Sequence, residues 1–301
     1  MQPSPDARTA ADSGVIHNIG YRRYEGPRLG RGYATCSLYE QSLRAAFGLG
    51  RSGRSKVLPM IVLALPLMIA VVVAAVQIVM KIEKPILDYT EFLDATGMLT
   101  WIFLAAQAPV LLSRDLRHNT VPLYFSRPIT RADYVRAKFA AMISAMMIVM
   151  AAPLLVLYLG SLLGRQDFGH HTGHLFFGLA TALLYAVVGS SIGLLIAACT
   201  PRRGFGVASI MGAMVVSSGI ALIVYALGGG DYADVPEKAN WAAMLSPSWL
   251  VQGFTNQVFG LVANSRVVHA PGAGAAVLFG AEIVLLTVAC YWFTDRRYRK
   301  I

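Results

Sequence analysis

Residues 113–138 have the sequence SRDLRHNTVPLYFSRPITRADYVRAK, and this stretch decides the fold because it is polar between two long apolar runs. We call it the connector. It carries six cationic side chains against only two carboxylates, Asp115 and Asp133. Since charged side chains are costly in hydrocarbon, the connector must face water at one end of a set of membrane helices. Its cationic residues are Arg114, Arg117, Arg127, Arg131, Arg136 and Lys138.

The whole chain has the composition of a membrane protein. Of its 301 residues, 56% are hydrophobic and only 14% are charged, whereas a typical soluble domain has about 25% charged residues. The apolar residues form blocks of about 20, the length that crosses ~30 Å of hydrocarbon. The sequence therefore predicts an all-α polytopic membrane domain over residues 57–294, between a cytosolic N-terminal part (1–56) and a basic cytosolic C-terminus (295–301). The six predicted spans are 57–80, 92–112, 138–163, 175–199, 205–227 and 271–294.

The distribution of basic residues predicts the orientation. All but five of the 26 lysines and arginines lie in the two termini, the connector or the turn at Arg202 and Arg203. Basic residues concentrate on the cytoplasmic side of membrane proteins. Both termini and the connector are therefore predicted to lie on the cytoplasmic side of the cell (plasma) membrane. The basic residues are spread along one membrane face and form no recognisable nucleic-acid-binding module. The expected partner of this charge is therefore the lipid bilayer, and nucleic-acid binding is not expected. The five exceptions are Lys81, Lys84, Arg165, Lys238 and Arg266.

Three segments outside the spans have recognisable patterns. The S-x-x-E pattern of Ser37 and Glu40 predicts the start of an N-terminal amphipathic helix, lying in the cytoplasmic interface. Residues 81–95 are predicted as a short acidic external loop that includes Asp94. Residues 228–270 contain apolar and aromatic stretches, each of which is too short to cross a bilayer. They predict an external re-entrant or interfacial helical hairpin before the last span.

Polar and aromatic residues near or within the spans are the candidates for a substrate pathway. Glu282 stands out, because an ionisable side chain at membrane depth is costly and is by default a functional hypothesis. The alternative is that Glu282 is protonated or hydrogen-bonded and only orients the bundle. Small residues in the fourth and fifth spans favour close helix packing over substrate lining. The candidate pathway residues are Gln107, Ser217, Ser218, Trp249, Phe254 and Glu282.

Two patterns that suggest ligand sites have simpler explanations. Residues 48–55, GLGRSGRS, approach a phosphate-binding loop, but Arg54 replaces the required lysine and no strand precedes the pattern. His170, His171 and His174 could hold a metal ion if helical, but beyond Asp167 no carboxylate or cysteine completes the set. An interfacial polar loop is therefore favoured there, and neither a metal nor a cofactor is predicted for this chain.

The layout and the connector resemble the membrane (permease) subunits of bacterial type-two ABC exporters. The best local match is Ser126-Arg127-Pro128-Ile129 followed by Arg131, with Asp115 at an acidic position upstream. Asn119-Thr120 stands where the family tends to have Gly-Thr. Residues 23–31, RYEGPRLGR, also resemble the N-terminal tails of a bacterial subgroup.

The resemblance implies that the connector holds a coupling helix, which docks on a separate ATP-binding subunit. It implies two ATPase subunits, which bind ATP and Mg, and two permease subunits, identical or homologous. The chain itself would hydrolyse no ATP, and it has no Walker lysine loop. The coupling residues implied are Arg114, Asp115, Arg117, His118, Asn119, Thr120, Ser126, Arg127, Pro128 and Arg131.

Two other functional classes explain fewer features of the sequence. An ion- or proton-coupled secondary transporter would use Glu282 as its coupling acid. With Asp94 counted in the external loop, however, Glu282 is the one carboxylate in the spans, and no internal repeat is visible. A membrane-embedded enzyme acting on lipid would need clustered His, Asp or Glu at one face, and the three histidines are the sole candidate.

Overall fold

A computed structural model describes residues 26, 29–50, 52–81, 87–117, 120–126, 129–229, 237–261 and 269–300. Every regular element in these ranges is helical, which confirms the predicted all-α class. A 3-10 helix, Glu237–Leu245, lies between α9 and α10. The α-helices are α1 Arg31–Ala46, α2 Gly53–Met80, α3 Tyr89–Ala95, α4 Gly97–Leu111, α5 Ser113–Arg117, α6 Val121–Phe125, α7 Arg131–Leu163, α8 Phe168–Cys199, α9 Arg203–Leu227, α10 Pro247–Val258 and α11 Gly272–Arg299.

Six helical segments are long and apolar enough to cross a membrane, as expected of a multi-pass membrane protein. The number agrees with the six predicted spans, although most of the helices extend beyond the predicted bounds. The six segments are Gly53–Met80, Gly97–Arg117, Arg131–Leu163, Phe168–Cys199, Arg203–Leu227 and Gly272–Arg299.

The bundle has a central and a peripheral set of helices. In the most apolar window of α8, 61% of the residues are buried, and α4 and α7 are comparable. In α9 the share is only 17%, and α2 and α11 are also mostly exposed. Because the exposed faces of the peripheral helices are apolar, such as Val215 and Leu227 of α9, they suit contact with lipid or with another apolar protein surface.

Small residues on α8 allow α4 to approach closely. A Cβ atom at Gly189 would lie 2.8 Å from Trp101 Cζ3, and one at Gly193 would lie 2.7 Å from Leu104 Cδ1. Close approach through glycine is the packing device expected between helices in lipid. Gly212 and Gly219 of α9 differ, because a Cβ at either position would meet no atom within 4 Å.

The second span differs from its prediction at both ends. The apolar run predicted at 92–112 is divided at Thr96, which follows the end of α3 at Ala95 and precedes the start of α4 at Gly97. A capping box of Asp88 and Glu91 starts α3 before the apolar run. The long helix instead covers Gly97–Arg117 and continues into the connector.

The N-terminal amphipathic helix starts earlier than predicted. Ser37, expected as its cap, lies inside α1, which begins at Arg31. The helix packs against α7, where the Tyr39 hydroxyl donates to Ser144 Oγ at 2.9 Å. It buries Leu38 and Ala46 in the protein, so α1 is part of the bundle.

The segment predicted as an external hairpin forms the 3-10 helix and α10. Both pack against α9 at the end of the bundle opposite the connector. Gly253 of α10 lets the Phe279 ring of α11 approach, since a Cβ there would lie 2.9 Å from Phe279 Cε2. Residues 230–236 and 262–268 of the predicted hairpin lie outside the described residues.

Candidate functional site

The connector is joined to the bundle by a buried ion pair. Lys138 Nζ of α7 lies 2.9 Å from Asp115 Oδ2 of α5, and their side chains are only 7% and 14% exposed. The Tyr134 hydroxyl donates to the same carboxylate oxygen at 2.8 Å. Because a buried charge needs a partner of opposite sign, the pair holds α5 against the start of α7.

Aromatic rings surround this ion pair. Lys138 Nζ lies 5.3 Å from the centroid of the Tyr134 ring and 6.0 Å from that of Tyr124 in α6. The Tyr134 ring packs against Tyr298 near the end of α11, with centroids 5.2 Å apart. These contacts connect α6, α7 and α11, so the ammonium group is held by cation–π contacts as well as by its carboxylate.

The start of α7 is also tied to α1. Thr130 caps α7, and Asp133 accepts from the backbone N–H of Thr130 at 3.1 Å, which completes a capping box. Arg31 of α1 donates from Nη2 to Asp133 Oδ1 and to Thr130 Oγ1, both at 2.9 Å. The acid expected to oppose the cations of the connector is therefore paired with the N-terminal helix.

The structure divides the predicted coupling residues into three groups. Asp115 is paired with Lys138, and Thr120 donates from its backbone to the Asp115 carbonyl at 3.1 Å. Instead of a single coupling helix, the described part of the connector forms the two short helices α5 and α6. The residues exposed on its surface are Arg114, Arg117, Ser126 and Arg131. Those that lie outside the described residues are His118, Asn119, Arg127 and Pro128.

Arginines gather on the surface of this end. Arg114, Arg117 and Arg203 line a cavity of about 260 Å³ between the connector and the start of α9. The guanidinium of Arg131 lies 5.5 Å from the centre of the Phe125 ring. This arrangement presents donors for carboxylate or phosphate groups of a partner or of lipid.

A second cavity, of about 330 Å³, lies away from the connector, among α3, α4, α7, α8, α9 and α10. We call it the central cavity. Its walls are mainly aromatic and thioether groups, including Trp101, Trp249, Met211 and Met214. Its polar lining consists of Asp94, Thr100, Tyr185, Ser218, Ser248 and Gln252.

Asp94 is the charged group of the central cavity. The Tyr185 hydroxyl donates to its Oδ1 at 2.8 Å, and Gln252 Nε2 donates to its Oδ2 at 2.5 Å. Burial raises the pKa of Asp94 from its usual value to about 7, even though both hydrogen bonds favour the ionised form. Asp94 therefore changes its charge near neutral pH.

Hydroxyl groups connect α9 to the start of α10 beside this carboxylate. Ser218 Oγ lies 3.0 Å from Ser246 Oγ, which in turn lies 2.9 Å from Ser248 Oγ. The Tyr185 hydroxyl is also 3.2 Å from the Ser248 carbonyl. Tyr185 thus has a second acceptor when Asp94 is protonated, so that the cavity stays hydrogen-bonded in both states.

The central cavity contains two of the six predicted pathway residues, Ser218 and Trp249. Gln107 is buried in α4 away from the cavity lining. The Ser217 hydroxyl donates to the Met214 carbonyl of its own helix, and Phe254 packs against Gly280 of α11. Glu282 of α11 is half-buried and does not line the cavity, and its Oε2 has no hydrogen-bond partner within the described residues.

Sequence reasoning missed Asp94, Tyr185 and Gln252 as a group. Tyr185 lies 91 residues from Asp94, and Gln252 lies 158 residues from it, so no local pattern relates them. The one available signal was an acidic residue, Asp94, at the beginning of an apolar run.

The three histidines lie in a helix, where a loop was predicted. Asp167 accepts from the backbone N–H of Gly169 and caps α8, which begins at Phe168. His171 Nδ1 is 3.2 Å from the Tyr89 hydroxyl, which ties α8 to α3. Within the described residues, no group of three His, Cys, Asp or Glu is placed to hold a metal ion.

Comparison with known proteins adds no assignment. No family model matches this sequence. No curated protein matches it either. The function is therefore argued from the residues and their geometry.

Proposed function

We propose that the chain is the membrane (permease) subunit of an ATP-driven exporter of the type-two ABC class. It would form the substrate pathway, and a separate ATP-binding subunit would supply the energy. The observation that carries the proposal is the buried pair of Asp115 and Lys138, which makes the charged connector a rigid part of the bundle. This observation supports the resemblance of the Ser-Arg-Pro stretch, residues 126–128, to the coupling segment of that family.

The connector joins helices that also form the walls of the central cavity. Asp115 lies in α5, four residues after the end of α4, and Lys138 lies in the second turn of α7. Trp101 of α4 and Met150 of α7 both line the cavity. A displacement of the connector would therefore move two walls of the cavity together, since packed helices shift as units.

The exposed arginines fit an acidic groove on the partner. Arg114, Arg117 and Arg131 point away from the bundle core, where they can form charge-assisted hydrogen bonds with carboxylates. ATP and Mg would bind to the two partner subunits. A second permease subunit, identical or homologous, would pair with this one through exposed apolar surface, and lipid would cover the rest. On this proposal the connector and both termini are cytoplasmic.

A proton-coupled secondary transporter is the second candidate. The observation that favours it is Asp94, a carboxyl with a pKa of about 7 inside a cavity, in addition to Glu282, whose Oε2 has no hydrogen-bond partner among the described residues. Such a transporter would work without ATP and would stop when a protonophore collapses the proton gradient.

The two candidates are separated by purifying the tagged full chain from its native membrane together with bound partners. The exporter proposal predicts co-purifying ATP hydrolysis, which is lost when Arg114→Glu and Arg117→Glu reverse the charge of the connector. Lys238→Glu, an exposed reversal in the 3-10 helix, is the matched control and should retain the activity. Transport that persists without ATP and stops with the protonophore would contradict the proposal and favour the second candidate.

A further inference from the structure

The central cavity contains a carboxylate, Asp94, beside which the described residues place no cation. Asp94 receives hydrogen bonds from the neutral groups of Tyr185 and Gln252. No lysine or arginine in the described part of the chain lines the cavity. The connector shows the contrast, because there the buried carboxylate of Asp115 has the ammonium of Lys138 at 2.9 Å. A buried charge is stabilised by a partner of opposite sign, and no described residue that lines the cavity supplies one for Asp94, so a cationic ligand can take this role.

The rest of the cavity wall suits the apolar part of a cationic molecule. Trp101 and Trp249 line it, and each indole ring offers a large apolar face for such a molecule. Methionine side chains such as Met211 and Met214 adapt to ligands of different shape. The volume of about 330 Å³ is at the lower end of the range of about 300–1,000 Å³ found for small-molecule sites.

The cavity also has an opening to the outside of the bundle. Met98 and Val215 line it and are 67% and 61% exposed, on α4 and α9 respectively. The exposed surface of α9 around this opening is apolar. A ligand that enters here must therefore tolerate an apolar surrounding and still carry a positive charge.

We infer that the central cavity binds an amphipathic organic cation, an ammonium or phosphonium group on an apolar body, with Asp94 as its counter-charge and the two tryptophans against its apolar part. Only the further step, in which this ligand is the transported cargo, rests on the proposed function. The binding itself requires neither ATP nor a partner subunit.

Ionisation of Asp94 accompanies the binding. The titratable groups that face it are Tyr185 of α8 and Glu91 of its own helix, and α10 contributes the neutral Gln252. The cavity residues from α4, α7 and α9 are not titratable. A cation beside Asp94 favours the carboxylate, so a bound cation displaces the proton that burial retains near pH 7.

The test uses the full chain in phosphatidylcholine nanodiscs and measures binding of tetraphenylphosphonium by equilibrium dialysis against empty nanodiscs. The permanent charge of this probe does not depend on pH. We expect saturable binding to one site, which Asp94→Asn weakens at least about tenfold. Glu40→Gln removes the same charge from the exposed face of α1 and should leave the affinity unchanged. Tetraphenylborate, of nearly the same shape and opposite charge, should show no saturable binding when it is dialysed on its own against the same nanodiscs.

Proton release provides a second measurement that does not depend on a variant. Calorimetry near pH 7, in buffers with different ionisation enthalpies, should show a fraction of a proton released for each cation bound. Binding of the neutral triphenylphosphine oxide with equal affinity, or wild-type binding without proton release, would overturn the inference. Absence of saturable binding to the wild-type chain would also overturn it. None of these results bears on the ATPase partner, so the proposed function fails or stands by its own experiment.

Discussion

The ion pair between Asp115 and Lys138 allows a quantitative test of how rigidly the connector is attached. At 2.9 Å and an effective dielectric constant of about 20, the Coulomb attraction is roughly 6 kcal/mol before desolvation is subtracted. Removing one member leaves a buried charge alone, which costs about 3–5 kcal/mol. We therefore expect Lys138→Met and Asp115→Asn each to lower the free energy of unfolding by about that amount. The double variant should lose clearly less than the sum, because it leaves no buried charge.

The measurement is equilibrium unfolding in mixed dodecylmaltoside and SDS micelles, followed by circular dichroism. The control is the pair of Glu40 and Arg44 on α1, whose side chains are 59% and 66% exposed and whose removal should change little. If each single variant loses less than about 1 kcal/mol, the pair does not hold the connector. If the losses in the double variant simply add, the two charges are not coupled in the folded state and the reasoning is refuted.

Two further predictions concern helix packing and the central cavity. Gly160→Ala should destabilise the fold by about 1–3 kcal/mol, because its Cβ would overlap that of Ala74 on α2. Gly212→Ala in α9 meets no atom within 4 Å and should be neutral or slightly stabilising in the same unfolding assay, so equal losses in both variants would contradict the packing argument. The contribution of Asp94 to the free energy of unfolding should fall as the pH rises from 3.8 to about 7, because folded Asp94 still holds a proton that the unfolded chain has released. Asp94→Asn should remove this contribution, and an unchanged pH profile of unfolding in that variant would show that Asp94 is not the group responsible.

The helical class and the number of membrane-length helices could be predicted because both depend on local features. An apolar block of about 20 residues is long enough to cross the membrane as a helix whatever its neighbours are. A charged segment such as the connector is costly in hydrocarbon and therefore marks the end of one such block and the start of the next. Helix ends depend on single side chains and were predicted less well. The second predicted span is divided at Thr96, between α3 and α4, and Ser37 fits a capping pattern but lies inside α1.

The candidate site was predicted in part. Ser218 and Trp249 were named from their residue types and do line the central cavity. Glu282 and Gln107 were named by the same reasoning but do not line this cavity. The position of a residue along a span does not tell which face of the helix it occupies. Asp94 was counted with a loop, although the groups that donate hydrogen bonds to it come from helices far along the chain.

By itself the sequence determined that this chain makes six long apolar helices and one basic, polar connection between two of them, since residue composition within short windows controls both. Only the tertiary structure decided which charges are satisfied inside the protein. Lys138 and Asp115 meet across α5 and α7, whereas among the described residues Asp94 accepts from the neutral donors Tyr185 and Gln252. The physical reason is that a charge's environment depends on the helices packed around it, and that packing brings together residues which no local pattern relates.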